Sequence, residues 1–239
     1  VYLGNPQGTV PIMSNFLYAA QRERMEILAV CRCESSIFTG GAEGAGEAAA
    51  RKDVTLYAPN EEQGTLLLDE IMKHMNVRKK LLTDFCQAND LDEKNKDELA
   101  RAAEYVRSHT TPILVFIENL ADMVSNLDMM SEMLLDGVFK GMWQYNMRVI
   151  AFFEPKDEKR CQESVLYNGY ALNGHMLLFG GRFDKQKFCA VPMDGEKAKE
   201  LLQYNLAVMR YNDDCYPLLM PCGEIRVEEI PEDDRSIFS

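Results

Sequence analysis

An α/β fold with a mainly parallel sheet is predicted by three features of this sequence. Strand-like apolar runs alternate with helical patterns along the chain. The run from Pro112 to Ile117 is apolar without alternation, as a strand buried on both faces reads. It stops at the polar pair Glu118 and Asn119, after which the pattern turns helical. Ligands of open α/β sheets bind at the carboxyl ends of strands, so this pair stands where chemistry is expected. A strand followed by a carboxylate is also the layout of a Walker B motif, whose acid serves Mg²⁺.

Composition narrows the function. The 239 residues fit one large domain spanning 1–239, and 46% hydrophobic content supplies an ordinary core. The formal net charge of −12 repels phosphate backbones, so nucleic acid is not an expected partner. The densest basic run, Arg78 to Lys80, lies on an acid-rich helix and reads as a solvated face. Seven cysteines fall without CxxC spacing, and His74, His109 and His175 are scattered. No metal site is expected from that pattern, only reduced thiols. No run approaches ~18 apolar residues and no signal peptide is read, so this fragment is not expected to contact the membrane directly. The chain opens without Met in an apolar stretch, which reads as a module of something longer.

Taken in order, Val1 to Leu3 reads as a strand and Gly4 to Pro11 as a Gly/Pro loop entering a helix that runs to about Arg24. Pro11 suits a first helical turn, where its missing N–H loses nothing. Met25 to Cys31 and Val54 to Ala58 read as strands, with a Gly/Ala-rich loop and short helix between them. Within that loop Gly41 to Ala48 mimics a phosphate loop with Glu for Lys. Only six residues separate Gly46 from Asp53, too few for the helix such a loop needs. Glu61 to Ala88 reads as a long helix with Leu67, Ile71, Met75 and Leu82 inward, and 97–108 as another. Leu120 to Tyr145 reads as one continuous helix. Its expected inward stripe is Leu120, Val124, Leu127, Met130, Leu134 and Val138, broadened by Met123, Met129, Met133 and Met142 as core filling. A strand at 147–153, a helix at 157–167, a strand at 175–179 and a helix at 197–205 follow. The remainder is Pro-rich and acidic, with 224–230 as an edge strand.

The segment Phe116 to Val124, FIENLADMV, resembles the hhhDELADLM signature of the FtsK/SpoIIIE ATPases. Glu118 stands at that family's Mg²⁺-site Asp and Asn119 at its catalytic Glu. Glu70 to Arg78 loosely echoes a helical motif of the same family. Ala151 to Pro155 stands where the family has Ala-Thr-Gln-Arg-Pro, with Phe153 and Glu154 at the Gln and Arg positions. Residues 177–188, LLFGGRFDKQKF, resemble the LLLGG segment of type VII secretion ATPase modules. The likeness covers 1–182, with 183–239 as an extension of the same domain. It implies a RecA-like P-loop NTPase fold, a mainly parallel sheet flanked by helices.

Under that resemblance the phosphate loop is Gly4, Asn5, Pro6, Gln7, Gly8, Thr9, Val10 and Pro11. Thr9 replaces the second Gly, Val10 the Lys and Pro11 the Ser/Thr. An Asn can orient water but cannot take its proton at neutral pH. The family's cofactors, ATP and Mg²⁺, are therefore not expected to be required, and no catalytic residue is expected. The implied protein is a degenerate ATPase module of a type VII secretion ATPase, on the cytoplasmic side of the bacterial plasma membrane within a membrane-anchored chain. It would recognise substrate or regulate protein export. Its implied partners are small helical WxG-type secreted proteins and other ATPase domains of the same chain, with an oligomer of the full-length protein left open. Val10, Pro11, Phe153 and the adjacent Glu154 would line the partner surface. A weakly active ATPase, a DNA translocase motor and an unrelated α/β enzyme are the competing readings.

Overall fold

The computed structural model describes residues 2–3, 9–32, 54–154, 157–161, 163–173, 176–180, 194–203, 207–211 and 214–218. The order of elements is β1 (Tyr2–Leu3), α1 (Thr9–Arg22), β2 (Glu26–Val30), β3 (Val54–Tyr57), α2 (Glu61–Ala88), α3 (Lys96–His109) and β4 (Ile113–Ile117). Then come α4 (Leu120–Val124), α5 (Met129–Gly141), a 3-10 turn (Met142–Tyr145), β5 (Met147–Ala151), α6 (Glu158–Cys161), α7 (Val165–Asn173), β6 (Met176–Gly180), α8 (Gly195–Gln203), β7 (Ala207–Tyr211) and β8 (Asp214–Leu218).

One sheet has the order β3-β2-β4-β5 and is parallel throughout. All five residues of β4 are buried. Alternation divides them between two cores. Ile113, Val115 and Ile117 join Leu67 and Ile71 of α2 and Leu135 of α5. Leu114 and Phe116 join Ile12, Met13 and Leu17 of α1 and the ring of Phe152. Helices on both faces explain why the strand reads as a continuous apolar run. Each such side chain contributes about 1.5–3 kcal/mol by leaving water. The second sheet has the order β1-β6-β7-β8, with β1 parallel to β6 and the rest antiparallel.

Three sequence expectations change. First, the helix expected over 120–145 is broken between α4 and α5. Ser125 Oγ bonds back to the Ala121 carbonyl at 2.6 Å and Asn126 Nδ2 to that of Asp122 at 2.7 Å. Asp128 then accepts from the Ser131 N–H at 2.7 Å and starts a new helix. The break rotates the helical phase. Met130 and Leu134, expected inward, are exposed, as are Met129 and Met133. Glu132, Leu135 and Phe139 face in instead, and Glu132 accepts from Ser164 Oγ at 2.7 Å and the Val165 N–H at 2.8 Å at the start of α7. Leu127, in the break, closes on Gly64 of α2, where an added Cβ would lie 2.6 Å from its Cδ2.

Second, Arg78 is not on a solvated face. It is buried and donates to the carbonyls of Tyr145 at 2.7 Å, Asn146 at 3.0 Å and Thr111 at 2.7 Å. Burial pulls its pKa below the ordinary arginine value. Asn146, at φ 53°, donates from Nδ2 to the Thr110 carbonyl at 2.9 Å and completes this junction at the strand entrances. Third, β7 and β8 pair across 207–218, where no strand was expected before 224–230. Segments 33–53 and 219–239, including the expected loop and the edge strand at 224–230, lie outside the described residues.

Arg78→Met removes three charge-assisted bonds and leaves buried carbonyls unpaired. It is expected to lower unfolding free energy by about 3–5 kcal/mol in urea titrations, whereas Lys79→Ala and Lys80→Ala stay within about 0.5 kcal/mol of wild type.

Candidate functional site

The carboxyl ends of the parallel strands carry the polar groups of the module. The ladder continues past β4: the Glu118 N–H bonds the Val30 carbonyl at 2.9 Å, and the Leu120 N–H bonds the Phe152 carbonyl at 2.9 Å. These bonds fix Glu118 and Asn119 at the strand exit. Glu118 is half-buried, and its Oε2 accepts from the backbone N–H of Arg32 at 3.2 Å. Asn119 caps α4, its Oδ1 accepting from the N–H groups of Ala121 at 2.9 Å and Asp122 at 3.4 Å. Its Nδ2 donates to Asp157 Oδ2 at 3.4 Å. Both predicted strand-end residues therefore lie side by side, as the sequence places them.

Five residues that sequence reasoning missed complete the cluster. Arg32 Nη2 hydrogen-bonds Asp122 Oδ1 at 2.7 Å and meets Oδ2 at the same 2.7 Å as an ion-pair contact without hydrogen-bond geometry. Arg160 Nη2 lies 3.4 Å from Asp122 Oδ1 and 3.0 Å from Ser125 Oγ, while its Nη1 lies 3.0 Å from Asp157 Oδ1. The hydrogen bond and charge of Asp122 push the Arg32 pKa above its ordinary value. A signal for Arg32 existed, since it directly follows a strand and so shares the ligand-side edge. Asp122 lies inside the FIENLADMV segment and Ser125 directly follows it, so both were within reach of a local reading. Asp157 and Arg160 had no signal, because their partners Asn119, Asp122 and Ser125 lie 35 to 38 positions away in sequence.

Phe153 does not line a surface. It is 5% exposed and packs on Tyr167 with ring centroids 5.1 Å apart. An aromatic at this strand end belongs to the core between β5 and α7, which corrects its expected place in a partner-binding lining. Glu154 is half-buried, and its carbonyl accepts from the Asp157 N–H at 3.0 Å. Gly4, Asn5, Pro6, Gln7 and Gly8 lie outside the described residues. Thr9, Val10 and Pro11 form the first turn of α1, as a loop-to-helix entry requires. Among the described residues no group of His, Cys, Asp and Glu is placed to hold a metal ion, and no helix is long and apolar enough to cross a membrane.

These features define an α/β module: a parallel sheet covered on both faces, with an acid and an Asn at the exit of its central strand. Among solved structures the fold is shared with the cytoplasmic domain of EssC, at a TM-score of 0.65 and 11% identity over 92% of this chain. It is likewise shared with EssC (ATPases 2 and 3) from Geobacillus thermodenitrificans, at a TM-score of 0.61 and 12% identity over 92% of this chain. This chain spans 39% and 36% of those two chains. No family model and no curated protein matches the sequence. The fold expected from the FtsK/SpoIIIE and type VII resemblance is thus the fold present.

Cys161 follows Arg160 directly and feels the charges of the cluster. It is fully buried, and burial, with Asp157 nearby, pushes its thiol up to about 12 from 9.0. The folded thiol keeps its proton where an unfolded one ionises, so this group weakens folding as pH climbs from 9.0 toward about 12. Iodoacetamide at pH 8 is expected to leave Cys161 unlabelled in the native protein and to label it after unfolding, as read by peptide mass spectrometry.

Proposed function

We propose that this chain is an ATPase-like module of a type VII secretion ATPase, that it no longer hydrolyses ATP, and that it serves substrate recognition or regulation of protein export. One observation carries the reading. On a fold shared with ATPase modules, the position of the water-activating Glu is Asn119, and its amide is committed to capping α4 and to Asp157. An amide cannot accept a proton from water at neutral pH. Val10 and Pro11 add to this, since they put no ammonium and no hydroxyl where phosphate and Mg²⁺ would be held. Each lost electrostatic contact to a transferring phosphoryl group is worth ~3 kcal/mol or more.

Under this reading ATP and Mg²⁺ are not required. Among the described residues, Glu118 Oε2 accepts from the Arg32 N–H, and Asp122 and Asp157 are paired with arginines, which supports it. The likeness to EssC supports a place on the cytoplasmic side of a membrane-anchored bacterial chain, beside other ATPase modules of that chain. Its ligands would be small helical WxG-type secreted proteins, met as a helix in a groove.

Calorimetric titration with ATP or ADP and Mg²⁺ is expected to give no binding heat, and an ATPase assay no turnover above background. Turnover abolished by Glu118→Ala would overturn the reading. Asn119→Glu is expected not to restore activity, because the new carboxylate faces Asp157.

Partner choice has its own test. The module is expected to capture co-encoded small helical proteins in pull-downs and to ignore duplex DNA at micromolar concentration in near-physiological salt. Salt-dependent DNA binding would instead favour a translocase.

A further inference from the structure

Asp122 and Asp157 are both nearly enclosed, at 6% and 4% exposure. An enclosed carboxylate needs a compensating positive charge. In a hydrolysing module the positive charge at the strand ends belongs to a lysine and to the metal ion that arrives with nucleotide. Here the chain supplies it. Arg32 comes from the end of β2 and Arg160 from α6, and both converge on Asp122 of α4. The three segments are far apart in sequence, 90 residues between Arg32 and Asp122 and 38 between Asp122 and Arg160. Asn119 and Ser125 tie the same arginine and aspartate groups to both ends of α4.

We infer that this cluster is a built-in latch. It holds the end of β2, the turn into α4, and α6 in one arrangement without a ligand, the ordering that bound nucleotide gives a working module. The inference rests on the reading of a silent nucleotide site and goes beyond it by giving these residues a positioning role. The two aspartates lie inside while the arginine side chains are 65% and 46% exposed. The latch therefore opens from the solvent side, by removal or competition of an arginine, with no rearrangement of the core.

Hydrogen exchange read by mass spectrometry tests it, on wild type, Arg32→Ala, Arg160→Ala and Asp122→Asn, each with and without Mg²⁺ and ATP. In wild type, peptides covering 118–125 are expected to be protected without nucleotide and unchanged by it. In Arg160→Ala the same amides should exchange about tenfold faster, with α2 and α3 unaffected. Protection that appears in wild type only with nucleotide would overturn the latch, and so would exchange in both arginine variants equal to wild type. If Asp122→Asn does not fold, the arginine variants carry the test, since they truncate exposed side chains. Nucleotide binding by wild type that leaves these peptides unchanged, with Arg160→Ala still faster, would overturn the silent site while supporting the latch.

Discussion

The burial of β4 on both faces is the constraint on which the rest depends. A strand with α1 against one side and α2 and α5 against the other has no polar outlet along its length. Polar groups can leave it only at its two ends. At the exit the backbone ladder runs one residue further on each side, so Glu118 and Asn119 emerge at fixed positions. The neighbouring strands deliver Arg32 and Phe152 to the same edge. The location of the polar cluster is thus a consequence of core packing, and its chemistry is left to the residues that happen to stand there.

At those positions the residues pair with one another. Asn119 spends its oxygen on the α4 cap, and the aspartates spend their charge on arginines. These pairs are enclosed only on the aspartate side, and water around the exposed arginines screens part of the attraction, so their net contribution to stability is small. What they do contribute is specificity of arrangement, since an arginine cannot leave without stranding a buried charge.

Much of the architecture was legible from apolar runs. Strand β4 and helix α2 fall almost where the pattern puts them, because long uninterrupted signals leave few alternatives. The errors have a common cause. Periodicity carried the helix through Ser125, Asn126 and Asp128, whose side chains compete for backbone hydrogen bonds and end one helix before starting another. That polar cluster was itself a readable break signal. Arg78 was misread because its surroundings in sequence are charged, while its partners are carbonyls from residues 33, 67 and 68 positions away. The site divides the same way. Glu118 and Asn119 were legible from a local motif, whereas Asp157 and Arg160 arrive by a turn that no local pattern encodes.

Arg78 also gives α2 a mechanical character. The helix has 28 residues, so it is about 42 Å long at 1.5 Å per residue. Its guanidinium grips carbonyls from the approach to β4 and from the approach to β5 at once. A slide or roll of the helix would have to drag both strand entrances or break all three bonds together. Force applied to α2 near Arg78 is then shared with the entrances of β4 and β5.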